Sequence, residues 1–68
     1  MKTYYSLEIK QKRGDDVVSI EFGIWKRISC KYSKKKRIFK AKLVGFDGES
    51  KKIEYVDIIS VIKTKRKK

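Results

Sequence analysis

The sequence predicts an all-β fold, a small antiparallel barrel or strongly bent sheet of five or six strands. Three observations carry that expectation. Apolar residues recur at alternate positions over residues 18–32, turn chemistry separates the apolar runs, and no window keeps three-four spacing better than it keeps alternation.

In residues 18–32, seven of the eight even positions are apolar or aromatic: Val18, Ile20, Phe22, Ile24, Ile28, Cys30 and Tyr32, with Lys26 the exception. The odd positions are mostly polar, which suits a strand with one buried face. Gly23 is the expected site of a bulge or bend that splits this run or curls it. Before it, residues 4–10 place Tyr5, Leu7 and Ile9 on one face, and Arg13-Gly14-Asp15-Asp16 supplies a turn. After it, residues 38–46 place Phe39, Ala41 and Leu43 on one face, with a register shift expected at Val44-Gly45-Phe46. Asp47-Gly48-Glu49-Ser50 is a hairpin turn, because Asp-Gly accepts the positive φ such turns need. Short strands over 53–56 and 58–62 complete a single domain over residues 1–62. Residues 63–68 contain no apolar anchor and are expected to form a flexible basic tail.

Sixty-eight residues leave a thin core, since a chain of this size buries only ~60 % of its unfolded surface. Cys30 is the only cysteine and there is no histidine, so neither an internal disulfide nor a zinc site is expected, and no cofactor. A lone thiol suits a reducing compartment. Residues 1–10 lack an apolar run, and the longest one elsewhere, over 58–62, is broken by Ser60. The expectation is a cytoplasmic protein associated with nucleic acid and not with membrane.

Twenty Lys and Arg against eight Asp and Glu give a net charge of +12. An excess of this size attracts polyanions. Twelve of the basic residues fall in three clusters: Lys10, Lys12 and Arg13; Lys34, Lys35, Lys36 and Arg37; and Lys63, Lys65, Arg66, Lys67 and Lys68. If the five tail charges all engaged duplex DNA, affinity would fall several hundredfold between about 50 and 200 mM salt. The first two clusters sit at opposite ends of the sheet if residues 17–32 form one strand. They share an end if the chain reverses near Gly23.

Trp25 lies among Arg27, Ser29 and Lys31, on the face opposite Phe22 and Ile24, and is expected to be either an exposed ring or part of a second small core made as the sheet curls back. Together with Lys40 and Lys42 these residues would form a face where charge follows the phosphate chain and a ring stacks on bases. Phe39 is expected to be taken up by the core, and Tyr32 by the core or its rim. Catalysis is not expected. Asp15-Asp16 stands in a solvated turn, Cys30 lies on the apolar face without a general base, and the four glycines form no phosphate loop.

Residues 39–48, Phe39-Lys40-Ala41-Lys42-Leu43-Val44-Gly45-Phe46-Asp47-Gly48, followed by Ile53-Glu54-Tyr55-Val56-Asp57-Ile58, resemble the middle strands of Src-homology-three-like barrels, particularly Tudor and KOW-type domains. An Sm-like barrel or an unrelated meander is also compatible with these residues. The Tudor resemblance implies an aromatic cage, for which Phe39, Tyr55 and Trp25 stand at candidate positions. The acidic residue and full ring set of such a cage are not in register, and a +12 surface repels cationic peptides. The resemblance therefore points to the fold and to relatives that bind nucleic acid.

The expected function is binding of DNA or RNA through its phosphate backbone with little base specificity. The site residues are Trp25, Arg27, Lys31, Lys34, Lys35, Lys36, Arg37, Lys40, Lys42, Lys63, Lys65, Arg66, Lys67 and Lys68. The alternative is a small interaction module that docks an acidic protein partner, since basic charge steers that association equally well.

Overall fold

A computed structural model describes residues 2–67 as six strands and no helix. They are β1 (Thr3–Arg13), β2 (Asp16–Trp25), β3 (Arg27–Ser33), β4 (Ile38–Val44), β5 (Ser50–Tyr55) and β6 (Ile58–Lys67). They form two three-stranded antiparallel sheets, ordered β2–β1–β6 and β3–β4–β5. The expected barrel is not closed. β2 and β3 are parted by Lys26 alone and belong to different sheets, so the long alternating run is one bent path that passes from sheet to sheet.

The core lies between the sheets. Leu7 and Ile9 enter it from β1, Ile28 from β3, Phe39, Ala41 and Leu43 from β4, and Ile58 from β6. All seven are buried. On β4 every second residue is buried, and the cross-strand row Tyr32–Phe39–Tyr55 runs over the inner face of its sheet. Phe22 reaches across from the other sheet to meet Tyr55 edge-on, with ring centroids 5.8 Å apart.

Gly23 has φ 82°, a conformation that costs glycine little, and the β1–β2 register shifts here between Ser6 and Glu8. The shift exchanges the faces of the next two side chains. Ile24, expected inside, is 62 % exposed, while Trp25 packs against the core. The bend at Lys26 restores the even-numbered phase, so Ile28 is buried and Cys30 and Tyr32 are half-buried. The indole N–H of Trp25 donates to the Phe22 carbonyl, which holds the ring in place.

The basic tail also differs from expectation. Residues 63–67 are not a free tail but the second half of β6, paired with β1 from Leu7↔Lys63 to Thr3↔Lys67. The strand persists beyond the last apolar residue because β1 continues alongside it and satisfies its backbone groups. Lys63 further places its ammonium over the Tyr5 ring, 5.2 Å from the centroid. Lys68 lies outside the described residues.

Candidate nucleic-acid interface

Alternation on β3, β4 and β5 sends one set of side chains into the core and the other to solvent. The outward rows are Arg27–Val44–Ser50, Ser29–Lys42–Lys52 and Lys31–Lys40–Glu54. Lys31 stands directly opposite Lys40, and Lys42 directly opposite Lys52. Like charges so placed destabilise a sheet by a few tenths of a kcal/mol per pair, roughly. One ion pair answers them, Lys40–Glu54 at 3.7 Å, with both side chains more than half exposed. A pair so solvated contributes little.

Between the second and third rows lies a shallow depression of about 550 Å³. Ser29, Lys42 and Lys52 form one wall and Lys31, Lys40 and Glu54 the other. Cys30, Ala41 and Ile53 form its floor, their side chains pointing into the protein because they are one residue out of phase with the walls. Burial pushes the Cys30 thiol above its ordinary pKa, and the Lys63 charge pulls it partly back. That shift keeps the thiol protonated near neutral pH.

The depression continues toward the β3–β4 turn through a second hollow lined by Lys31, Lys36 and Lys40. Lys34, Lys35, Lys36 and Arg37 are all exposed on that turn. Its base is tied to the start of β6: the Tyr32 hydroxyl donates to the Ile58 carbonyl at 2.7 Å, and the Ile58 N–H donates to the Arg37 carbonyl at 3.1 Å. On the other side of the same corner, the Lys12 N–H donates to the Asp57 carbonyl at 2.9 Å and the Gln11 amide to the Val56 carbonyl at 3.0 Å. The corner at residues 56–58 thus brings the clusters at 10–13 and 34–37 to one end of the molecule, the shared-end alternative, with residues 17–32 forming two strands and not one.

Arg37 adopts φ 56°, in the left-handed region, where a side chain with a Cβ is disfavoured by about 1–2 kcal/mol. Replacing Arg37 by glycine is expected to raise stability by about 0.5–1 kcal/mol in urea denaturation, after allowing for the greater chain entropy of glycine when unfolded. A loss of stability would show that the Arg37 side chain makes a contact outweighing the strain.

The expected site residues thus separate into two groups, with Trp25 apart from both. Lys31, Lys40 and Lys42 share the β3–β4–β5 face, with Arg27 one row further out, and the turn residues 34–37 adjoin it. Lys63, Lys65, Arg66 and Lys67 are exposed but run away from that corner along β6, nine residues from Ile58 to Lys67, or about 30 Å of extended strand. Trp25 belongs to neither group, being packed inward. Lys52, Lys10, Lys12 and Arg13 were not among the expected residues. Lys52 could have been found from strand parity, because it is separated from Ile53 by one position and must face outward. The cluster at 10–13 needed the corner hydrogen bonds, which sequence spacing does not reveal.

These features define a class: a two-sheet, all-β protein with a lysine-covered sheet face and a basic end. Comparison with protein-family models, with curated proteins and with solved structures finds no match.

Proposed function

We propose that the protein binds DNA or RNA by laying the phosphate backbone across the outer face of β3–β4–β5 and onto the basic end, and that it is not an enzyme. The observation that carries this reading is the pair of like-charge contacts, Lys31↔Lys40 and Lys42↔Lys52, at a surface with one acidic neighbour, Glu54. A charge arrangement that costs stability in the free protein becomes favourable when phosphates stand between the ammonium groups and condensed counterions are released.

The rings on this sheet, Tyr32, Phe39 and Tyr55, pack toward the core, as Trp25 does on β2. Recognition on this reading rests on charge, with no stacked base, and it is indifferent to sequence because ammonium groups on phosphates read no base edge. We likewise propose that the fold is an open relative of the Src-homology-three-like barrels. The bent β2–β3 path and the return of β6 to pair with β1 support that kinship.

The test is a binding series against random-sequence duplex DNA, single-stranded DNA and RNA at several salt concentrations. Binding should be measurable with all three at about 50 mM salt, with log affinity falling linearly in log salt. Absence of binding to all three would overturn the proposal and leave an acidic protein as the partner to seek.

A further inference from the structure

β2 is an edge strand, paired with β1 on one side only. None of the backbone hydrogen bonds that link the sheets and turns of the described residues involves residues 16–25. Arg13 and Asp16 flank a two-residue turn, so the alternation of an antiparallel pair directs the N–H and C=O groups of Val17, Ser19 and Glu21 away from β1. Those groups form a free ladder of hydrogen-bonding positions along the molecule's edge.

What distinguishes this edge is its composition. Basic residues make up 20 of the 68 positions, yet β2, DVVSIEFGIW, contains none, and no proline. The other exposed edges do carry them: Arg27 and Lys31 on β3, Lys51 and Lys52 on β5, and Lys63, Lys65, Arg66 and Lys67 on β6. Lysine on an edge strand is a common protection against edge-to-edge pairing. Each of those three edges would set cations against its own copy, whereas the only charges on β2 are the acids Asp16 and Glu21.

We infer that β2 pairs with β2 of a second copy of this chain, antiparallel about a two-fold axis at Ser19. In that register Val18 faces Ile20 of the other copy, Val17 faces Glu21 and Asp16 faces Phe22. The hydrogen-bonding groups of residues 17, 19 and 21 meet one another, and no two acids stand opposite. The pairing preserves the faces of both sheets, because partners differ by an even number of positions. Val18 and Ile20, half-buried in one chain, join a single apolar row across a six-stranded sheet. The Gly23 bulge ends the pairable segment at Phe22, which limits the contact to seven residues per chain. The lysine face belongs to the other sheet, so this inference stands apart from the proposed function.

The experiment is sedimentation equilibrium of the nucleic-acid-free protein at moderate salt and sub-millimolar concentration. The expected result is a monomer–dimer equilibrium. In Ser19→Lys, two ammonium groups meet at the axis and the dissociation constant should rise about tenfold or more. Ser29→Lys, which adds the same charge to an exposed position on the other sheet, should leave it unchanged. Isotope-filtered NMR on the unsubstituted protein should show contacts between Val18 of one copy and Ile20 of the other, a readout independent of how any variant folds. A strict monomer, open-ended growth, equal weakening by Ser29→Lys, or absence of the Val18–Ile20 contact would each overturn the inference.

Discussion

Phe39→Ala should abolish most of the protein's stability, lowering the free energy of unfolding by about 3–5 kcal/mol. Phe39 is fully buried and sits at the centre of the row Tyr32–Phe39–Tyr55, where both sheets meet. Truncation removes a ring whose neighbours are anchored elsewhere. Tyr32 is held by its hydroxyl bond to Ile58, and Tyr55 is held against Phe22, so neither can fold into the space. The cavity therefore stays open, the condition under which such substitutions cost most. The total available is small. At roughly 0.05–0.15 kcal/mol per residue, a domain of this length has about 3–10 kcal/mol in all. No disulfide is present among the described residues to limit the unfolded chain. Urea denaturation followed by Trp25 fluorescence measures the effect directly. A loss below about 1 kcal/mol would show that the two sheets do not depend on this ring for their packing.

The second large effect concerns binding. Changing Lys31, Lys40, Lys42 and Lys52 together to glutamine should reduce the salt slope of duplex binding by about 3.6, four contacts at about 0.9 each. Between about 50 and 200 mM salt, those four contacts account for a change of roughly 150-fold in affinity. The same variant should be no less stable than the parent, because the substitutions remove two unfavourable cross-strand pairs and one solvated ion pair. Loss of affinity with stability retained is the signature of a binding face. Unchanged affinity would move the interface to the basic end or to β6. A parallel loss of stability would mean that the lysine stems cover apolar surface as well.

The parts of this architecture that depend on alternation can be read from the residues. Phe39, Ala41 and Leu43 are buried as their period implies, and the outward position of Lys31, Lys40 and Lys42 follows from the same parity. Asp47-Gly48 does lie in the β4–β5 turn, with Gly48 at φ 89°, but the turn closes from Gly45 to Glu49, earlier than the expected span Asp47–Ser50. Phase changes are harder. Gly23 marks a bulge recognisable from sequence, but its effect depends on whether one or two residues oppose a single partner on β1. That choice is made by the pairing and decides whether Trp25 or Ile24 faces water. Partnership at a distance is harder still. Lys63, Lys65, Arg66 and Lys67 show no apolar pattern of their own and become strand because Thr3–Leu7 offers an unpaired edge some sixty residues away.

That last pairing bears on the order in which the molecule assembles. β3, β4 and β5 join neighbours along the chain, so the sheet bearing the lysines needs only short loops to close and is complete at Tyr55. The sheet built around β1 gains its third strand only by bringing residues 3–11 together with 58–67, the longest loop closure in the molecule. Contacts of such separation are slow to form, because the chain loses its freedom before the contact repays it. A nascent chain emerging in order would therefore present the complete lysine-bearing sheet, its inner face still open, before the strand that caps the core at Ile58 has been made.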